Sequence, residues 1–249
     1  MTSTVQSTDL LKHFKAEHKA SPIQTYLKEI VYGGNDGIIT TFAVVAGFSG
    51  ANLGGGIAEF SFLTVLLFGL ANLVADGASM GLGNFLSLRS EQDLYRAEQA
   101  KERHEIRTNP AMERKESLEI LQAKGFTKAQ AAQLTDIYEK NEDYYVQFMM
   151  NYELEIANPL SENPLLTGLA TFFAFITFGF IPLLPYILVG DNPNAFFYSL
   201  IATFSALILL GLLRWFVTGE KLLRSVFEIV LIGSIAASLA YFVGTLFKG

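Results

Sequence analysis

Glutamates recur at helical spacing in one polar stretch of the chain, and this spacing could build a metal site. Glu98, Glu102 and Glu105 are four and three residues apart, so on a helix their carboxylates share one face. Met149 and Glu153 are also four apart, which places a thioether beside a carboxylate. The candidate ligands in this stretch are Glu98, Glu102, Glu105, Glu113, Glu116, Met149 and Glu153.

Carboxylates and a thioether together suit a divalent transition metal ion. Like charges one turn apart destabilise an isolated helix by a few tenths of a kcal/mol per pair. A cation bound between the two carboxylates makes the pair stabilising instead. The alternative is a solvated face on which Arg103, Arg107, Arg114 and Lys115 serve as counter-charges. Because three separate segments each offer carboxylates on one face, the pattern favours metal binding.

A second set of candidate ligands lies in apolar surroundings. Asp36 and Asp76 are each flanked by glycine, and Met80 follows Asp76 by one helical turn. A carboxylate inside a membrane costs roughly 2.5–3.5 kcal/mol on insertion scales and usually faces a cavity or a partner. The alternative is that the aspartates cap helices or pair with Asn35 or Asn72. We interpret Asp36, Asp76 and Met80 as the lining of a cation path.

The composition indicates a membrane protein. Of the 249 residues, 51% are hydrophobic and only 17% are charged, against about 25% in an average soluble domain. There is no cysteine, which excludes disulfides and thiolate ligands. The net charge of −6 argues against nucleic acid as a partner.

The predicted fold is all-α, a polytopic membrane protein with five transmembrane helices and a cytosolic three-helix metal-binding insert. The spans are 31–51, 60–88, 165–189, 195–217 and 222–246. The domains are a cytosolic N-terminal segment 1–30, transmembrane helices over 31–88, the insert 89–163, and transmembrane helices over 164–249.

Basic residues orient this topology. With five spans, 17 of the 18 Lys and Arg residues fall on one side of the membrane and only Lys248 on the other. The positive-inside rule therefore predicts a cytosolic N-terminus and insert.

Turn residues divide the insert into helices. The second span is expected to continue as a helix through Arg107, and Asn109-Pro110 ends it. A second helix is expected from Met112 to Lys124, followed by Gly125, and a third over 128–156 with a break near Asn141.

Two motifs of known enzymes are missing from the sequence. It contains no Glu-x-x-His pair of a di-iron oxidase and no P-loop. We therefore expect a protein that is not an enzyme and has no cofactor.

Taken together, these segments resemble the vacuolar iron transporter family over nearly the whole chain from Tyr26. The segments that carry the resemblance are YGGNDGIITTFAVVAG (32–47), ADGASMGLGNFLS (75–87), the Glu-rich 98–119 region, MMNYELEI (149–156), FGFIPLLPYIL (178–188) and RWFVTGEKLLRSVFEIVLIG (214–233).

The resemblance implies a homodimer in a lipid bilayer, with a translocation path at the subunit interface, that exports Fe²⁺, and in some members Mn²⁺, from the cytosol in exchange for protons. It implies that Asp36 and Met80 line the path with Asp76 nearby, and that the insert residues named above, Glu98 less firmly, are cytosolic ligands. Glu155 departs from the family, where many members have glycine; the extra carboxylate either alters selectivity or is simply solvated.

The alternative function is a membrane-anchored metal sensor or buffer without transport. An anchor does not need Asp36 and Asp76 in the bilayer, so their presence favours transport. The expected location is a prokaryotic inner (plasma) membrane, with a vacuolar membrane as the other possibility. The choice among Fe²⁺, Mn²⁺, Co²⁺ and Zn²⁺ stays open, because all of them accept these ligands.

Overall fold

The computed structural model describes residues 21–52 and 62–246, and throughout these ranges the regular structure is helical. The α-helices are α1 Pro22–Thr25, α2 Leu27–Asn52, α3 Phe62–Thr108, α4 Pro110–Ala123, α5 Lys128–Tyr138, α6 Glu142–Tyr152, α7 Pro164–Gly179, α8 Leu184–Val189, α9 Ala195–Thr218 and α10 Leu222–Leu246. Short 3₁₀ turns occupy Pro159–Ser161 and Ile181–Leu183.

The chain divides into two compact units. The membrane unit comprises the described residues of Met1–Asn84 and Leu165–Gly249, and the polar unit is Phe85–Pro164. In the membrane unit, Ile38 of α2 packs with Leu207 of α9 and Ile229 of α10. The polar unit has its own core, in which Leu121, Ala131 and Phe148 are buried together.

Among the described residues, four helical stretches are long and apolar enough to cross a membrane. They are Phe62–Thr108, Pro164–Val189, Ala195–Thr218 and Leu222–Leu246. Their apolar side chains also cover the outside of the unit: Leu223 is 84% exposed, Phe216 79% and Leu188 77%. Helices that are apolar on every face are stable in lipid rather than in water. The chain is therefore a multi-pass membrane protein.

The first predicted span lies within α2, which contains Asn35 and Asp36 and is not among these four stretches. This helix approaches α7 closely through two glycines. A Cβ atom on Gly33 would lie 2.7 Å from the carbonyl oxygen of Thr171, and one on Gly37 would collide with the carbonyl oxygen of Phe175.

Several predictions fall on parts of the chain outside the described residues. They concern the first 20 residues of the N-terminal segment, the loop and the beginning of the second span over 53–61, and Lys248.

The helix boundaries in the polar unit follow the predicted turn residues. The helix α3 continues past the second predicted span and ends at Thr108, next to Asn109-Pro110. Gly125 has φ +99°, and Thr127 caps α5 by accepting a hydrogen bond from the backbone N–H of Gln130. The predicted third helix of the insert is interrupted near Asn141, as expected. It is divided into α5 and α6, and the Asn141 side chain caps α6.

Gly211 on α9 offers a test of the packing in the membrane unit. A Cβ atom there would lie 2.7 Å from Val226 Cα on α10, so Gly211→Ala must push two helices apart. Overpacking of this kind typically costs about 1–3 kcal/mol. We expect the variant to lose several degrees of melting temperature, measured in detergent by fluorescence-detected size exclusion after heating.

The matched control is Gly83→Ala, since nothing lies within 4 Å of a Cβ atom at Gly83. Its melting temperature should stay at or slightly above that of the parent, because alanine favours a helix. Equal melting temperatures for both variants would contradict the close packing of α9 against α10.

Candidate metal centre

Three glutamates from different helical segments meet in the polar unit. Carboxylate oxygens of Glu102 on α3, Glu113 on α4 and Glu153 at the end of α6 lie within 4.8 Å of one another. Glu102 is 2% exposed and Glu113 5%, while Glu153 as a whole residue is exposed. One oxygen of Glu102 (Oε1) and one of Glu113 (Oε2) are buried without a hydrogen-bond partner. Such acceptors cost free energy unless a proton or a cation satisfies them.

The cluster retains protons because burial disfavours its charge. Burial raises the pKa of Glu102 to about 8, with further contributions from a hydrogen bond to Glu113 and from the charges of its neighbours. Burial also raises the pKa of Glu113, although the bond from protonated Glu102 opposes this shift. The pKa of Glu153 rises to about 7, first through burial and then through neighbouring carboxylates.

Two more of the predicted ligands flank the three glutamates. The charge of Glu105 acts on all three, and the charge of Glu116 acts on Glu113 and Glu153. Glu98, another predicted ligand, forms an ion pair instead: its carboxylate lies 4.0 Å from Lys101 Nζ. The structure thus brings together Glu102, Glu105, Glu113, Glu116 and Glu153.

The arginines of the polar unit pair with other acidic residues. Arg103 Nη2 lies 2.7 Å from Asp143, and Arg107 Nη2 lies 2.7 Å from Glu142. Arg114 contacts Asp136 and Glu139 in the same way. The arginines proposed as counter-charges for the glutamate face are therefore engaged with a separate set of carboxylates.

Met149 is fully buried, and its sulfur has a polar neighbour that the sequence analysis missed. Ser117 Oγ lies 3.3 Å from Met149 Sδ and 2.9 Å from the hydroxyl oxygen of Tyr145. Burial raises the pKa of Tyr145 to about 12, so this hydroxyl stays protonated. Ser117 follows Glu113 by four residues, and Tyr145 precedes Met149 by four. Each therefore lies one helical turn from a predicted ligand on the same helix face, and this spacing could have identified both residues.

The end of α6 fixes the backbone of Glu153. The N–H of Ile156 bonds to the carbonyl oxygen of Met150, and Glu155 adopts a left-handed conformation with φ +53°. Glycine adopts this conformation without steric cost, whereas a residue with a Cβ atom, such as Glu155, is strained there. The Glu155 side chain is exposed.

In the membrane unit, Asp36 and Asp76 lie close enough for their charges to interact. Met80 is half-buried and packs against the apolar core that contains Phe42 and Phe175. Glu228 on α10 accepts hydrogen bonds from Arg214 Nη1 at 2.8 Å and Arg224 Nε at 2.9 Å.

Comparison with known proteins identifies the family to which the chain is similar. The model of the VIT family matches residues 27–245. The vacuolar iron transporter of Toxoplasma gondii is 35% identical over 99% of this chain and 83% of its own length. Vacuolar iron transporter 1 of Arabidopsis thaliana is 35% identical over 93% of this chain and 89% of its own.

A third relative, the vacuolar iron transporter of Plasmodium berghei, is 32% identical over 96% of this chain and 88% of its own length. The class defined by the fold is that of multi-pass helical membrane proteins. Within that class, the chain belongs to the VIT family.

The raised pKa of Glu102 predicts how stability depends on pH. Between the ordinary glutamate range near 4.5 and about 8, folded Glu102 holds a proton that the unfolded chain has lost. The free energy of unfolding of the metal-free protein should therefore fall as pH rises through this window. Glu102→Gln removes the group, so its melting temperature at pH 8 should exceed the parent's by several degrees and vary less with pH.

The control for this measurement is Glu119→Gln, because Glu119 is exposed and lies 3.9 Å from Lys115. Melting curves recorded from pH 5 to 8.5 in the presence of a chelator provide the comparison. Parallel pH profiles for Glu102→Gln and the parent would refute the assigned protonation.

Proposed function

We propose that this protein exports Fe²⁺ from the cytosol, with Mn²⁺ as a second cargo, and that it exchanges the cation for protons as a homodimer. The names of its relatives support iron as cargo. The observation that carries the proposal is the cluster of Glu102, Glu113 and Glu153, which combines buried carboxylates with unsatisfied oxygens. This cluster would collect the cation on the cytosolic side.

Release of protons on metal binding follows from the same cluster. A metal ion binds the deprotonated carboxylate, so a site with a raised pKa must lose protons as the cation enters. Binding should accordingly weaken as pH falls. Asp36, Asp76 and Met80 would then line the path of the cation through the membrane. The carboxylates of the two aspartates would carry protons in the opposite direction.

The proposed topology has five membrane spans, namely α2 and the four apolar stretches described above. The helix has 26 residues and is about 39 Å long, enough for a hydrocarbon core of about 30 Å. Its glycine contacts with α7 and its apolar contacts with α9 and α10 support a position alongside helices that cross the membrane. Charge distribution supports the orientation, since five spans leave nearly all Lys and Arg residues on the side of the polar unit.

A groove in the membrane unit supports association with a second copy. It has a volume of about 720 Å³, and its lining combines small residues of α2 and α10, such as Gly47 and Ala240, with the larger Phe48 of α2 and Phe68 of α3. Small side chains allow helices in lipid to approach closely, which is how membrane helices usually associate. The compartment that receives the cation stays a prediction, either outside a prokaryotic plasma membrane or inside a vacuole.

Transport is tested by flux into sealed vesicles that contain a metal-sensitive dye. Asp36→Asn keeps the size of the side chain but removes its charge, so we expect at least a tenfold lower initial rate of Fe²⁺ uptake. Binding of cation by the polar unit should persist in this variant. Asp191→Asn, in an exposed loop, is the control and should transport at the parental rate.

The same vesicles separate the proposal from a membrane-anchored sensor. Parental protein that binds Fe²⁺ but gives no flux above empty vesicles would favour the sensor. Flux that is indifferent to an imposed pH gradient would refute proton exchange, and normal flux in Asp36→Asn would refute the membrane path.

A further inference from the structure

In the polar unit, α4 and α6 contact each other at the glutamate cluster and again one helical turn further along. Glu113 on α4 faces Glu153 at the end of α6, with carboxylate oxygens within 4.8 Å. Four residues further along α4 is Ser117, and four residues before Glu153 is Met149; these two side chains meet at 3.3 Å. The thioether layer therefore lies one helical turn, about 5–6 Å, from the carboxylate layer.

Among the buried hydroxyl residues in the described ranges, Ser117 bonds to side chains of another helix, whereas Ser199 and Ser225 bond across to carbonyl oxygens and others bond within their own helix. Thr135 donates a hydrogen bond to the carbonyl oxygen of Ala131 in its own helix, and Thr171 does the same to Thr167. This back-bonding is the usual solution for a buried hydroxyl in a helix. Ser117 instead reaches across to side chains of α6, namely Tyr145 and Met149.

The contact defines how the sulfur is oriented. A thioether has no proton, so in the contact with Met149 Sδ the donor is Ser117, and the Tyr145 hydroxyl then donates its own proton to Ser117 Oγ. Methionine has three rotatable side-chain bonds and adapts readily to irregular space, so without a partner its sulfur would not be held in one orientation. Because Ser117 and Met149 are both fully buried, this donor is not exchanged for water.

We propose that Ser117 is a positioning residue that holds the Met149 thioether next to the carboxylate cluster and thereby gives the cluster its preference for thiophilic cations. This inference rests on the proposed function, in which the cluster collects the cargo. Carboxylates alone suit Mg²⁺, Ca²⁺ and Mn²⁺, whereas an oriented thioether favours softer ions. Ser117 itself does not have to touch the cation.

The experiment measures affinities of the full-length protein in detergent for Co²⁺ and Mn²⁺ by isothermal titration calorimetry. Ser117→Ala should weaken Co²⁺ binding about tenfold and change Mn²⁺ binding less than twofold. Met149→Leu should give the same selective loss. In the double variant the Ser117 substitution should add nothing, since it acts only through the sulfur.

The matched control is Thr135→Val, which removes another fully buried hydroxyl of the same unit while keeping its shape. It should leave the ratio of the two affinities unchanged. An equal loss of Co²⁺ and Mn²⁺ affinity in Ser117→Ala, or additive losses in the double variant, would overturn the positioning role and leave the proposed function intact. A parental protein that binds neither ion would overturn both.

Discussion

The electrostatic cost of packing three glutamates together is the constraint on which the polar unit depends. Glu102, Glu113 and Glu153 are held within a few ångströms of one another, and water is largely excluded from the first two. Burial and mutual repulsion make their shared charge unfavourable, so the site holds protons when empty and gains most from a cation. The same physical property makes the empty site costly and, in the proposed function, couples the binding of a cation to the release of protons.

The rest of the polar unit maintains this arrangement. The arginines that could neutralise the cluster are bound by Asp136, Glu139, Glu142 and Asp143. These exposed pairs each contribute little to stability, commonly under about 1 kcal/mol. Their importance is that they occupy the nearby guanidinium groups, which leaves the buried carboxylates available to a ligand.

Periodicity along the sequence was sufficient to find the carboxylate face but not its organisation. Spacing of three and four identified Glu102, Glu105 and Glu113, because residues at these intervals share a helix face. It could not show which carboxylates the arginines bind, since those contacts depend on packing between helices. Ser117 escaped notice because serine is common and its contact lies across two helices. The membrane helices were predictable from composition, whereas α2 was ambiguous because Asn35 and Asp36 lower its apolar character.

The most direct test of the account is the number of protons released when the full-length protein binds Co²⁺. Isothermal titration calorimetry at pH 7, in two buffers with different heats of ionisation, measures this number. A cluster that holds protons when empty predicts release of about one proton or more per cation bound, and less in Glu102→Gln. Binding of Co²⁺ at full stoichiometry without proton release would contradict the central claim.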